Sequence, residues 1–143
     1  MTRVVNDLYR GIVLEHSKRP RNFRVPLDAN HKTCSDNPLC GDHIEVYVRL
    51  EQGAILDIAF AGESCAIAKA SASLMTEAMM GLDTAGGRAL LRQFERMVGS
   101  ASTEQDPELG ELRALGDVRA FPARIPCAML AWDALRTVLH ADT

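Results

Sequence analysis

Four cysteines, Cys34, Cys40, Cys65 and Cys127, and one aspartate, Asp42, carry the chemistry open to this sequence. Cys40 and Asp42 flank Gly41 just ahead of a stretch that alternates apolar and polar residues. Residues two apart in an extended turn can face the same side, and glycine lets the chain bend between them. Cys65 ends the turn Gly62-Glu63-Ser64-Cys65 and opens a helical pattern, and Cys127 follows Pro126 at the start of another. A helix N-terminus favours the thiolate, the form that binds metal or attacks sulfur. Three thiolates and one carboxylate suit tetrahedral zinc, while soft thiolates also suit an iron–sulfur cluster. A carboxylate is the harder and weaker partner for iron, and it would make a cargo easier to release. Spacing alone leaves a shared site open. There is no C-x-x-C pair, and a lone cysteine commonly serves as a small buried hydrophobe.

The elements that must position these residues follow from periodicity. Leu8, Tyr9, Ile12, Val13 and His16 predict a helix from about Val5 to Lys18, ended at Arg19-Pro20. Lys18, Arg19, Arg21 and Arg24 form a basic cluster there, read as a solvated helix end, with an acidic docking partner as the rival reading. Leu27 to Asn37 is polar and irregular, with room for a short edge strand, and Asn37-Pro38 reads as a turn. Ile44, Val46, Val48 and Leu50 alternate with polar residues on one strand. Leu56, Ile58 and Phe60 continue on a second, after the turn Glu51-Gln52-Gly53, so the pair is an antiparallel hairpin. The hairpin can bring Cys40 and Cys65 together, whereas Cys127 can join them only through tertiary packing.

Helices are further predicted from about Cys65 to Met80, with a run of small residues from Ala66 to Ser73, and from about Thr84 to Val98, with Asp83 as N-cap. Gly86-Gly87 weakens the second of these. Gly99 to Glu108 reads as a mobile loop and Leu109 to Leu115 as a short helix. The last helix starts near Pro126 and carries Cys127, Leu130, Ala131, Ala134, Leu135 and Val138 on one face. This order gives an α+β fold, a small antiparallel sheet of about three strands with helices packed on one face. Residues 1–143 are expected to form one domain.

Composition narrows the function classes. A net charge of −3 gives no reason to expect nucleic acid as a partner, and no apolar run is long enough to span a bilayer. Met1 to Asp7 lacks the apolar region of a signal peptide. The expected setting is therefore a reducing cytoplasm, where cysteines serve as ligands, nucleophiles or core residues. Cys34 is read as an incidental thiol. His16, His31, His43 and His140 are read as solvated or core residues, Met75, Met79 and Met80 as core filler, and Trp132 as a helix-packing residue.

Three segments raise the odds of a shared site. Asn37-Pro38-Leu39-Cys40-Gly41-Asp42, Gly62 to Ser73, and Phe121 to Trp132 resemble the N-P-x-C-G-D, G-x-G-C-x-I-x-x-A-S-A-S and F-P-x-R-x-x-C-x-x-L-x-W segments of the IscU/NifU/SufU family of iron–sulfur assembly proteins. Leu8-Tyr9-Arg10 and Pro20-Arg21-Asn22 extend the likeness to nearly the whole chain. Ser64 stands in place of the family's second glycine. The chain is most similar to the SufU branch. Its stretch between Cys65 and Cys127 is long, Pro126 stands where the IscU branch has histidine, and Val118-Arg119-Ala120-Phe121-Pro122 occupies the place of the L-P-P-V-K segment.

The resemblance implies an IscU-like fold and a metal site at Cys40, Asp42, Cys65 and Cys127. It implies a carrier rather than a stand-alone enzyme, which takes sulfur from a SufS-like cysteine desulfurase and passes it to a downstream iron–sulfur scaffold or acceptor apoproteins. The implied cofactor is Zn2+, with Fe or a [2Fe–2S] cluster as the alternative. Cys40 is the expected sulfur acceptor, because its glycine turn is the most mobile of the three cysteine sites. Asp42 would tune metal release, and Arg124 would orient a ligand or contact the desulfurase. Two rival functions are a scaffold for a labile [2Fe–2S] cluster and a structural zinc module that only mediates interactions.

Overall fold

The computed structural model describes residues 2–38, 41–99 and 107–141, with side chains described for 10–38, 41–99 and 109–140. A first helix, α1 (Thr2–Lys18), precedes strands β1 (His31–Asn37), β2 (Asp42–Glu51) and β3 (Ala54–Glu63). Helices α2 (Ala66–Met79) and α3 (Thr84–Gly99) follow, then a 3₁₀ segment (Pro107–Ala120), a 3₁₀ turn (Pro122–Arg124) and α4 (Ile125–Ala141). The strands form one antiparallel sheet in the order β1-β2-β3. The α+β architecture is the one the alternation predicts.

Period-two alternation sorts the sheet's two faces. Ile44, Val46 and Val48 are buried in the core with Ile58 and Phe60, and Asp42 shares their side of β2 by parity. The opposite face carries polar residues in register: Asp36 beside His43, Cys34 beside Glu45, and Lys32 beside Tyr47. The β2–β3 turn has positive φ at Gln52 (52°) and Gly53 (78°), the backbone of a type I′ hairpin turn. Gly62 pairs with Ile44 and has φ 118°; a Cβ there would lie 2.2 Å from the His43 carbonyl oxygen. Only glycine lets β3 leave the sheet this close to the start of β2.

α2 is the central helix. It packs against α1 and α4, and Ala68, Ala70 and Ala72 are fully buried. Its hydroxyls are engaged as well. Ser71 donates to the Ala128 carbonyl (2.6 Å) and accepts from the Trp132 indole N–H (2.9 Å). Trp132 is fully buried and stacks on Phe94 with ring centroids 4.0 Å apart. Asp83 caps α3 by accepting from the Gly86 N–H at 2.6 Å. Gly87 tolerates its helical position because the packing needs it small: a Cβ would lie 3.0 Å from a Leu139 methyl.

Three expectations are revised. The irregular stretch before Asn37 contains a full seven-residue strand, β1. The short helix expected at Leu109 to Leu115 is instead a longer 3₁₀ segment, Pro107–Ala120, interrupted at Gly110 (φ 56°, ψ −129°). Its buried residues Leu109, Leu112, Leu115 and Val118 recur every third position, which matches three residues per turn better than 3.6. Of the loop expected at Gly99 to Glu108, Gly99 ends α3, Pro107 and Glu108 begin the 3₁₀ segment, and residues 100–106 lie outside the described residues.

His16 is 3% exposed. Its Nδ1 lies 2.7 Å from the Ser73 hydroxyl oxygen, which also accepts from the Arg21 N–H at 2.8 Å. Its Nε2 faces Glu77 (3.7 Å) and Glu111 (4.0 Å). Burial lowers the imidazole pKa below its ordinary 6.5, Arg21 lowers it further, and Glu77, Glu111 and Glu15 oppose the shift. A base with a depressed folded pKa binds its proton more readily in the unfolded chain. Stability therefore falls as pH drops from about 6.5 towards the folded value. His43 works in the opposite sense, because hydrogen bonds to Asp36 and Glu45 raise its pKa. His16→Gln should flatten the decline in melting temperature between about pH 7 and pH 5, as followed by circular dichroism. An unchanged slope would exclude His16 as its source.

Candidate metal centre

Three of the four expected site residues converge among the described residues. Asp42, Cys65 and Cys127 each offer a ligand atom, and these atoms lie within 4.8 Å of one another. The strand start, the cap of α2 and the first turn of α4 supply one donor each. Asp42 is 6% exposed and Cys127 5% exposed, whereas Cys65 is half-buried. Cys40 lies outside the described residues. The chain on either side of it is anchored: Asn37 pairs in register with Asp42, and the Asn37 carbonyl accepts the Gly41 N–H at 2.8 Å. Gly41 has φ 73°, a conformation glycine adopts without strain.

Backbone and side-chain bonds fix the donors. The Cys65 N–H donates to Asp42 Oδ1 (3.0 Å), which joins the end of the hairpin to its beginning. The Cys65 sulfur is the N-cap of α2 and accepts from the Ala68 N–H at 3.5 Å. The Cys127 sulfur accepts from the Asn37 side-chain amide at 3.9 Å. The Ser71 hydroxyl bond to Ala128 ties the first turn of α4 to α2, so Cys127 and Cys65 are held in fixed relation.

The donor set can be tested for fit to a cation. Asp42 Oδ2 is buried and has no hydrogen-bond partner among the described residues. A buried carboxylate oxygen without a partner is costly, and here it lies in the same cluster as two thiol sulfurs. Donors on one zinc sit roughly 3.5–4 Å apart, given bonds of about 2.0–2.3 Å, so the cluster is already near ligand spacing. The residues fit a thiolate-binding divalent metal.

Cys34 does not join them. It is exposed and lies on the polar face of the sheet, opposite Glu45. Arg124 is exposed, with its guanidinium 5.1 Å from the Phe121 ring centroid. It borders a cleft of about 480 Å³ whose lining includes Arg10, Ile67 and Leu115. Arg24 of the basic cluster pairs with Asp57 through two hydrogen bonds (2.6 and 3.1 Å). Sequence reasoning missed Asn37 and Ser71 as supports of the site. Both stand inside the motifs quoted above, where the cysteines and the small-residue run drew the reading.

The pattern of the family described as NifU-like N terminal domain matches residues 8–141. The chain belongs to that family. It is 41% identical over 135 residues to the iron–sulfur cluster assembly scaffold protein IscU of Streptococcus pyogenes serotype M1, covering 94% of this chain and 84% of the relative. It is 38% identical over 131 residues to the zinc-dependent sulfurtransferase SufU of Bacillus subtilis strain 168, covering 92% and 88%. Among solved structures it resembles the iron–sulfur cluster assembly scaffold protein for the SUF system from Fervidobacterium islandicum AW-1, with a TM-score of 0.82, 27% identity and coverage of 90% and 93%. This is the IscU/NifU/SufU family of iron–sulfur cluster assembly proteins. No helix among the described residues is long and apolar enough to cross a membrane.

If these donors share one metal, Cys65→Ser and Cys127→Ser should each weaken zinc binding at least tenfold, while Cys34→Ser leaves it unchanged. Competition with a chromophoric chelator measures this, and equal losses for Cys34→Ser and Cys65→Ser would refute the cluster. Metal removal should also lower the melting temperature, because a ligand at a hundredfold excess over its dissociation constant adds about 2.7 kcal/mol. A melting curve unchanged after verified removal would mark the site as adventitious.

Proposed function

We propose that this chain is a zinc-binding sulfur acceptor of the SufU type, which takes persulfide sulfur from a cysteine desulfurase. The observation that carries the reading is the buried Asp42 oxygen, unpartnered among the described residues, beside the Cys65 and Cys127 sulfurs. Such a set calls for a cation, and its carboxylate is the weakest donor to a thiophilic metal. The ligands are Cys40, Asp42, Cys65 and Cys127. Zinc, when bound, supplies the positive charge that keeps the thiols deprotonated. Pro126 before Cys127 and the long stretch between Cys65 and Cys127 favour the SufU branch, as does the likeness to a named zinc-dependent sulfurtransferase.

The transfer is a thiol–disulfide type of exchange. The Cys40 thiolate attacks the outer sulfur of the desulfurase persulfide. The sulfur–sulfur bond of that persulfide breaks, its electron pair leaves on the desulfurase cysteine as thiolate, and a new sulfur–sulfur bond forms on Cys40. No external oxidant or reductant is needed. Asp42 can yield its place in the site, and Arg124, which is exposed, contacts the desulfurase. The sulfur then passes to a downstream scaffold or acceptor apoprotein. The relative from Streptococcus pyogenes, named as a scaffold, favours a second reading, in which a labile [2Fe–2S] cluster is assembled on the same residues.

Mixing the protein with a SufS-type desulfurase and cysteine under reducing conditions separates the readings. A sulfur acceptor should raise alanine production several-fold, and Cys40→Ala should abolish the gain. A scaffold should require added iron and develop the visible absorption of a [2Fe–2S] cluster. No stimulation by the zinc-loaded protein would overturn the acceptor reading.

A further inference from the structure

We infer that Asn37 is the positioning residue of the thiol cluster and holds Cys127 as a ligand rather than as a nucleophile. The inference rests on the metal-binding reading of the site and is independent of sulfur transfer. Asn37 ends β1 and is 7% exposed. Its register partner across the ladder is Asp42. Its carbonyl accepts the Gly41 N–H at 2.8 Å, next to Asp42 in the chain. Its side-chain amide reaches the Cys127 sulfur, 90 residues further along the chain. One residue thus links the donor that opens β2 to a donor from α4.

The chemistry of the amide contact is directional. An N–H donated to a thiolate withdraws electron density from sulfur, stabilises its negative charge and lowers its reactivity towards electrophiles. Two thiolates and a carboxylate already carry more negative charge than one divalent cation neutralises, so an N–H on a buried sulfur offsets part of the excess. Cys65 has its own N–H donor from the first turn of α2. The Asn37 amide gives Cys127 the same provision from a different element, and an uncharged donor does so without adding a competing cation. Asparagine suits the position because it combines a side-chain donor with ready acceptance of turn-forming backbone. Aspartate has nearly the same shape but would set a carboxylate oxygen against the sulfur.

The test compares wild type, Asn37→Asp and Asn37→Ala after loading with cobalt(II). Cobalt affinity should fall about tenfold or more in both variants, and the sulfur-to-cobalt absorption band should shift to lower energy as the sulfur becomes more electron-rich. Iodoacetamide alkylation of the loaded proteins, mapped by peptide mass, should show the Cys127 share rising several-fold. A purely structural role would lower stability without moving the band or the site of alkylation. If neither variant folds, the wild-type protein decides: on loading with cadmium-113, the Asn37 side-chain amide protons should shift downfield in a nitrogen-15 spectrum. Unchanged amide shifts, or variants with the wild-type band and alkylation pattern, would overturn the inference. Absence of any thiolate–cobalt band in wild type would instead overturn the metal-binding reading itself.

Discussion

A carboxylate oxygen enclosed beside two sulfurs is the constraint around which this fold is arranged. Removing an ion from water costs several kcal/mol even after relaxation, and among the described residues Asp42 has only one of its oxygens paired, to the Cys65 N–H. The cost is acceptable where a cation completes the set. The three donors whose side chains are described come from the starts of β2, α2 and α4. Element starts suit the purpose, since each offers unpaired N–H groups to sulfur or carboxylate and a change of chain direction that aims the side chain. Midway along a strand or helix, the backbone N–H groups are already engaged in the ladder or the helix.

α2 transmits this arrangement to the rest of the molecule. Ser71 and Ser73 are two residues apart, about 200° around a helix, so they point to opposite sides. Ser71 reaches α4 through Ala128 and Trp132. Ser73 reaches α1 through His16 and the connection after α1 through the Arg21 N–H. The buried alanines between and around them let both neighbours approach closely enough for these bonds to form. A run of small residues and hydroxyls, which looks featureless by hydropathy, is therefore the part of the chain that fixes how far Cys127 stands from Cys65. Trp132, stacked on Phe94, carries the same constraint on to α3.

How much of this was legible depended on whether burial and apolarity coincided. In β2, β3, α2 and α4 the buried positions are largely apolar, so periodicity located them within a residue or two. In β1 the core-side positions are Thr33, Ser35 and Asn37, by register with Val46, Ile44 and Asp42. A polar strand of this kind shows no alternation of hydropathy, and its length was missed together with the role of Asn37. In the 3₁₀ segment, leucines three apart satisfy a helical template in part, and the sequence alone did not separate the two periods. Gly86-Gly87 argued against a helix that forms regardless, because Gly87 lies beneath Leu139. The meeting of Cys127 with Asp42 and Cys65 was not readable from spacing at all. The motif resemblance raised that expectation, and the folded chain supplies the proximity.

The asymmetry of the cluster bears on what it can do. A zinc site that serves only a fold is closed, with every ligand held by the protein. Here Cys127 is buried and braced from two sides, by the Asn37 amide and by the Ser71 bond to its neighbour Ala128. Cys65 is half-buried, and the start of α2 that it caps also supplies Ile67 to the cleft bordered by Arg124. Of the two described site cysteines, Cys65 offers the more accessible sulfur. Asp42 differs from the cysteines in offering two donor atoms, one of them already held by the Cys65 N–H. If its oxygen gives up a metal, the Cys65 N–H still holds the other oxygen in place, so the carboxylate is neither stranded nor displaced far. A donor that can release a ligand without losing its position lowers the cost of opening the site and keeps the closed state close at hand. Under the proposed sulfur-acceptor function, that property would let the site open for transfer, with the Asp42–Cys65 hydrogen bond as its structural basis.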